Sequence, residues 1–254
     1  MKRLMTAATF ILILAAGRDA AAGDPISTAS DMNVVTALDV SDSIMRHEEW
    51  LEFDGMANAL ESRAFLAALA AGRHRRIGFA MFAWSSAGWY RLIVPWTSIA
   101  SEREAMRVAD LVRSARSRHG FNLRMDDAAA ASSLAGRTDV SAAIDLASSL
   151  ARDAPLAAGR TVINICGNGQ DNVGEPPDAA RDRALVDGFV VNGLVIGNRG
   201  GVAEHYRSQV QGGPGSFVLI VETPGEIAEA MVEKFLRDLI AGRQPGRDSR
   251  QGRS

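Results

Sequence analysis

The sequence has very little cysteine, no excess of basic residues and no long apolar run beyond its first residues. One cysteine among 254 residues cannot form a disulfide within the chain, so the hydrophobic core alone has to hold the fold. The formal charge of -2 at pH 7 leaves no basic excess to contact phosphates, which argues against a nucleic-acid partner. After the N-terminal region no segment approaches roughly 18 apolar residues, so we expect no stable membrane span in the mature protein.

The sequence also lacks the common motifs of hydrolases, nucleotide-binding proteins and zinc sites. There is no Gly-x-Ser-x-Gly nucleophile elbow and no Gly-x-x-x-x-Gly-Lys-Ser/Thr phosphate loop. The four histidines show no zinc-ligand spacing, and the lone Cys166 has no second thiol to join it. We therefore interpret Cys166 as a small buried hydrophobic residue and predict that the protein is not an enzyme.

The first residues have the organisation of a cleavable export signal. Lys2 and Arg3 precede an apolar run over residues 4–16, and the small residues Ala20–Ala22 fit an Ala-x-Ala cleavage pattern. We expect residues 1–22 to be a signal peptide and the mature protein to be periplasmic or secreted.

Residues 30–241 alternate between strand and helix patterns. Short apolar runs predict strands at Met32–Asp39, Arg76–Ala83, Tyr90–Val94, Thr161–Cys166, Phe189–Ile196 and Ser216–Val221. Helical spacing of apolar residues predicts helices at Arg46–Ala71, Ser101–Arg116, Asp139–Arg152, Pro177–Asp187, Val202–Val210 and Gly225–Ala241. This alternation predicts one α/β domain, with a mostly parallel, doubly wound sheet, one antiparallel edge strand from a hairpin, and helices on both faces. The tail, residues 242–254, lacks apolar anchors and is predicted to be disordered.

Oxygen-bearing side chains follow the first of these strands. The segment Asp39-Val40-Ser41-Asp42-Ser43 enters the crevice beyond the carboxyl ends of the strands, where sheets of this kind bind ligands. Residues 39, 41 and 43 share a parity, so one carboxylate and two hydroxyls can point into the same volume. Such ligands suit a hard divalent cation such as Mg²⁺. The alternative is structural: Ser41 caps the following helix and Asp39 accepts backbone hydrogen bonds in the loop.

The pattern Asp39-x-Ser41-x-Ser43 after a buried strand resembles the metal-ion-dependent adhesion site of von Willebrand factor A domains. The rest of the mature chain resembles an uncharacterised bacterial exported family with that fold, which implies a Rossmann-like, doubly wound sheet. The segments that carry this resemblance cover residues 34–43, 72–84, 94–100, 136–147, 160–172, 190–196 and 212–218.

The resemblance implies two more metal ligands. Thr138 stands in the place of a threonine ligand at the start of a helix, where its hydroxyl either binds the metal or caps that helix. Asn168 stands where the resemblance leads us to expect an acidic residue. An amide oxygen can hold a metal-bound water but brings no charge, so metal affinity should fall unless a neighbouring carboxylate compensates. The candidates for that compensation are Asp42, Asp139 and Asp171.

The function implied is that of an exported, non-enzymatic protein-binding module. It would bind a carboxylate of an unknown protein ligand through Mg²⁺ or Mn²⁺. The alternative is a metal-free structural scaffold whose adhesion site has decayed.

Overall fold

The computed structural model describes residues 29–41, 46–85, 89–119, 138–197 and 200–241. The predicted signal peptide, the predicted C-terminal tail and the candidate ligand Ser43 lie outside these ranges.

The described residues form eight strands, most of which belong to one sheet. They are β1 (Ala29–Ser30), β2 (Met32–Asp39), β3 (Ile77–Trp84), β4 (Tyr90–Ile99), β5 (Ala157–Ala158), β6 (Thr161–Gly167), β7 (Val190–Ile196) and β8 (Val218–Val221). The main sheet has six strands in the order β4-β3-β2-β6-β7-β8, and only β4 runs antiparallel to its neighbour. The short strands β1 and β5, which the sequence did not predict, pair with each other in parallel.

Helices cover both faces of the main sheet. They are α1 (Arg46–Glu61), α2 (Arg63–Ala70), α3 (Glu102–His119), α4 (Val140–Arg152), α5 (Pro177–Val186), α6 (Val202–His205), a π-helix (Tyr206–Val210), a 3₁₀ turn (Pro224–Glu226) and α7 (Ile227–Ala241). No helix of the described part of the chain is long and apolar enough to cross a membrane.

Alternate residues of the central strand β2 face two separate halves of the core. Val34 and Leu38 pack with α1, α2, α3 and α7 on one face of the sheet. Val35 and Ala37 pack with α4, α5 and the π-helix on the other face. Because side chains alternate along a strand, Asp39 shares the α4 face with Val35 and Ala37. The inner strands β2, β3, β6 and β7 are buried on both faces, which explains their mostly apolar sequences.

The predicted fold class is confirmed: the sheet is mostly parallel, β4 forms an antiparallel edge and helices lie on both faces. The prediction of one helix over Arg46–Ala71 was wrong. That segment forms α1 and α2, because the Ser62 side chain accepts a hydrogen bond from the Phe65 N–H and starts a new helix.

Other boundaries differ because tertiary contacts extend or shorten the elements. β4 continues to Ile99, since its pairing with β3 runs on to the start of that strand. The predicted helix over Val202–Val210 is a four-residue α-helix that passes into a π-helix. The predicted last strand begins only at Val218.

Candidate cation site

Asp39 is the last residue of β2, which lies at the topological switch point of the sheet. From β2 the chain adds β3 on one side and β6 on the other, so the carboxyl ends of β2 and β6 border the crevice at this edge. Asp39 is 0% exposed, and its Oδ1 accepts a hydrogen bond from the Ser41 N–H at 2.8 Å. The structural role predicted for Asp39 is therefore present. It does not compete with a ligand role, because a carboxylate has about four lone-pair positions.

Thr138 is held at the same edge by two hydrogen bonds of its backbone to Asn172. Its N–H donates to Oδ1 of Asn172 at 2.9 Å, and its carbonyl accepts from the Asn172 N–H at 3.1 Å. These bonds join the start of α4 to the loop that follows β6. The Thr138 side chain does not cap α4, because the Asp139 carboxylate takes that place and accepts from the Ala142 N–H at 2.8 Å. The capping alternative for Thr138 was thus wrong, and Thr138 is buried.

Asn168 is the first residue after β6 and is partly buried. It follows Gly167, which lies beside Asp39: a β-carbon at position 167 would lie 3.1 Å from Oδ2 of Asp39. The structure therefore places Asp39, Ser41, Thr138 and Asn168 at one edge of the sheet. The fifth candidate, Ser43, lies outside the described residues.

Two buried carboxylates of α1 were not predicted. Glu49 and Glu52 lie in the first half of α1 and are buried, and the charge of Glu52 raises the pKa of Cys166 and of Tyr206 after the larger effect of burial. The sequence held a signal for them, since both stand on the helical stripe that continues through Phe53. Acidic residues on an apolar stripe are unusual and point to a polar function at that end of the helix.

Asp171 fastens the loop after β6 to the start of α4. Its Oδ1 accepts a hydrogen bond from the Val140 N–H at 2.7 Å, and its own N–H donates to Nε2 of His205 at 3.3 Å. Burial raises the pKa of Asp171 to about 6, with a smaller contribution from the charge of Asp139. Burial also lowers the pKa of His205. These residues support the loop that carries Asn168.

Cys166 is buried beside the site, and its thiol is unreactive. Burial raises the pKa of its thiol to about 12, so the thiolate is scarce at neutral pH. This agrees with its interpretation as a small hydrophobic residue.

The chemistry of the donors fits a hard cation. Asp39, Ser41, Thr138 and Asn168 offer only oxygen atoms, which is what Mg²⁺ prefers. Within the described ranges no group of three or more His, Cys, Asp or Glu side chains is arranged to hold a metal ion. Among the described candidate ligands Asp39 offers a carboxylate, Ser41 and Thr138 offer hydroxyl oxygens, and Asn168 offers an amide oxygen.

Residues 29–243 match the model of the family described as protein of unknown function, DUF1194. The chain belongs to this family. No curated protein matches the chain.

Solved structures similar to the chain identify its fold. Proximal thread matrix protein 1 from the mussel byssus matches with a TM-score of 0.57 at 13% identity, over 85% of this chain and 49% of that protein. A structure of the same protein with a zinc-occupied MIDAS motif matches with a TM-score of 0.51 at 14% identity, with the same coverage of 85% and 49%. The pilus adhesin SpaC from Lactobacillus rhamnosus GG matches with a TM-score of 0.54 at 10% identity, over 82% of this chain and 30% of the adhesin.

The chain spans about half the length of the mussel protein and less of the adhesin. At such low identity the likeness shows the fold, which is von Willebrand factor A-like, as the resemblance of the sequence implied.

Proposed function

We propose that the chain is an exported, non-enzymatic module that binds a partner protein through a divalent cation at the carboxyl edge of its sheet. The cation would be Mg²⁺ or Mn²⁺, held by Asp39, Ser41, Ser43, Thr138 and Asn168. When bound, it would supply a positively charged coordination position for a carboxylate of the partner.

The observation that carries this proposal is the state of Asp39. The side chain is fully buried at the end of a central strand, and one of its oxygens is already oriented by the Ser41 N–H. Because this carboxylate is buried and already oriented, a divalent cation bound to it would be attracted more strongly than it would be in bulk water.

The charge count supports an acidic partner. Among the proposed ligands only Asp39 carries a negative charge, so the ligands alone would neutralise half of the charge of a divalent cation. The partner's carboxylate would neutralise the other half and gain more than it would at a site with two carboxylates. Metal and partner would then each raise the affinity of the other by the same factor. The mussel protein with a zinc-occupied MIDAS motif and the pilus adhesin have the same fold, which adds support.

A second candidate function is a metal-free structural scaffold. It is favoured by Asn168 in place of a carboxylate, and by the lack of any three-membered acidic, histidine or cysteine cluster among the described residues that is arranged to hold a metal. In that case the loops at this edge would contact a partner without a metal.

Calorimetric titration of the mature protein with Mg²⁺ and with Mn²⁺ separates these two functions. We expect saturable binding to the wild type and none to the Asp39→Ala variant, because that variant loses the only charged ligand. Asp153→Ala is the matched control, since it removes an exposed carboxylate at the far end of α4. Partner capture from a periplasmic extract should be lost both in EDTA and in Asp39→Ala. Equal recovery of the same partners in all samples would contradict the metal-bridged function and favour the scaffold.

Export is proposed from the N-terminal sequence. The charged start, the apolar run and the small residues Ala20–Ala22 favour cleavage just before Gly23. We expect the intact mass of the exported protein to correspond to a chain that begins near Gly23. An exported product that retains residues 1–22 would refute this.

A further inference from the structure

Tyr206 lies buried beside Gly167, next to the candidate cation site. It is the first residue of the π-helix and is 0% exposed. Two glycines make room for it: a β-carbon at Gly193 would lie 2.7 Å from Cδ1 of Tyr206, and one at Gly167 would lie 2.6 Å from its hydroxyl oxygen. Side chains on the neighbouring strands β6 and β7 are thus absent where the phenol lies. π-helical turns within helices often occur at functional positions, because they shift the direction of a side chain.

The Tyr206 hydroxyl is buried and accepts or donates no hydrogen bond among the described residues. Buried phenols are nearly always hydrogen-bonded, and an unsatisfied one costs free energy. This oxygen faces the candidate site. The point that lies 2.6 Å from it, the β-carbon position at Gly167, is also 3.1 Å from Oδ2 of Asp39. Both oxygens therefore lie close to the position that a side chain of residue 167 would take.

A tyrosine hydroxyl is protonated at neutral pH and can donate a hydrogen bond. Burial raises the pKa of Tyr206 well above its usual value, and the negative charge of Asp39 raises it further. A protonated phenol beside a carboxylate can donate to it, whereas the carboxylate can only accept.

We propose that Tyr206 is a positioning residue of the cation site, whose hydroxyl donates a hydrogen bond to Oδ2 of Asp39 when the cation is bound. The inference rests on the proposed function. The Ser41 N–H orients Oδ1 and Tyr206 orients Oδ2, so both oxygens of the single charged ligand have a fixed direction. Carboxylates that bind metals are commonly held in this way by a second set of hydrogen bonds. The requirement for this phenol also explains why residue 167 is glycine.

Replacing Tyr206 by phenylalanine tests the proposal, because it removes one oxygen atom and keeps the ring that packs against Gly193. We expect Tyr206→Phe to weaken Mg²⁺ binding by about 10- to 100-fold in calorimetric titration. The control is Tyr90→Phe, which changes the only other tyrosine of the chain, a residue that is 55% exposed on β4. Its Mg²⁺ affinity should equal that of the wild type.

A spectroscopic measurement separates positioning from a purely structural role. Addition of Mg²⁺ should perturb the tyrosine band of the near-ultraviolet difference spectrum in the wild type and in Tyr90→Phe, but not in Tyr206→Phe. In Tyr90→Phe the band reports Tyr206 alone, so that variant decides the question even if Tyr206→Phe does not fold. The inference would be overturned if the tyrosine band did not change on saturation with Mg²⁺, or if a folded Tyr206→Phe variant bound Mg²⁺ with wild-type affinity. Neither result would contradict the proposed function. A wild type that binds no Mg²⁺ would overturn both.

Discussion

Replacing Asn168 by aspartate is expected to tighten Mg²⁺ binding by about tenfold or more. Asparagine and aspartate have nearly the same shape, so the substitution adds a charge without a new contact. Asn168 is partly buried and follows Gly167, the residue opposite Asp39, so the added charge would lie close to the proposed cation. Attraction between unlike charges is stronger in a partly dehydrated crevice than in water.

The measurement is calorimetric titration of Asn168→Asp beside the wild type. Gln170→Glu is the matched control, because it adds the same charge to the same loop at an exposed position. We expect Gln170→Glu to change the affinity little, since solvent and salt screen a charge at the surface. If Asn168→Asp has no effect, and Ser41→Ala and Thr138→Ala also have none, the cation is not bound at this edge.

The same variant distinguishes a weakened site from a decayed one. A wild type without measurable binding and an Asn168→Asp variant with clear binding would mean that the geometry is intact and that only charge is missing. This outcome would favour the scaffold as the present function of the chain. Measurable binding in both would favour the metal-bridged module.

Much of the fold could be predicted from the sequence because strands and helices differ in the period of their apolar residues. The buried strand β2 was predicted with the bounds that it has in the structure, Met32–Asp39, since a mostly apolar run rich in β-branched residues is typical of a strand buried on both faces. The break between α1 and α2 was missed because Ser62 does not interrupt the apolar spacing. The Ser62 side chain starts α2 through a local capping hydrogen bond, and the spacing of the apolar residues does not indicate such a bond.

The candidate site could be predicted only in part. Asp39 stands out in the sequence because it is a carboxylate at the end of a mostly apolar strand. The roles of Thr138 and Asp139 could not be separated, since neighbouring residues of the same capping type compete for one position and only the backbone geometry decides. Tyr206 gave no signal at all. Its importance depends on Gly167 and Gly193, which are far from it in sequence and meet it only in the folded sheet.

The largest effect on stability is expected at a buried ion pair on the opposite face of the sheet. Lys234 and Asp238 lie one turn apart on α7, and their side chains are 3% and 0% exposed. Asp238 also accepts a hydrogen bond from Nδ2 of Asn192 at 2.8 Å, while the Lys234 ammonium donates to Oδ1 of Asn164. The pair thus connects α7 to the central strands β6 and β7.

Asp238→Asn is expected to lower the free energy of unfolding by about 3–5 kcal/mol, because it leaves the Lys234 charge buried without its counterion. That is a large part of the roughly 5–15 kcal/mol that stabilises a typical domain. Urea unfolding followed by circular dichroism measures the change as a shift in midpoint at constant slope. Glu233→Gln on the same helix is the matched control. It breaks the ion pair with Arg237, which has the same four-residue spacing but is exposed, so its cost should stay within about 1 kcal/mol.

The double variant Lys234→Met/Asp238→Asn tests the physical reason for this cost. If the cost arises from an uncompensated buried charge, removal of the second charge should restore about 1 kcal/mol or more of what Asp238→Asn loses, although the double variant lacks more of the native side chains. Methionine keeps most of the volume of the lysine stem, and an amide at position 238 still offers an oxygen to Asn192. A double variant less stable than Asp238→Asn would instead mean that the Lys234 bond to Asn164, and not charge compensation, accounts for the stability that this network provides.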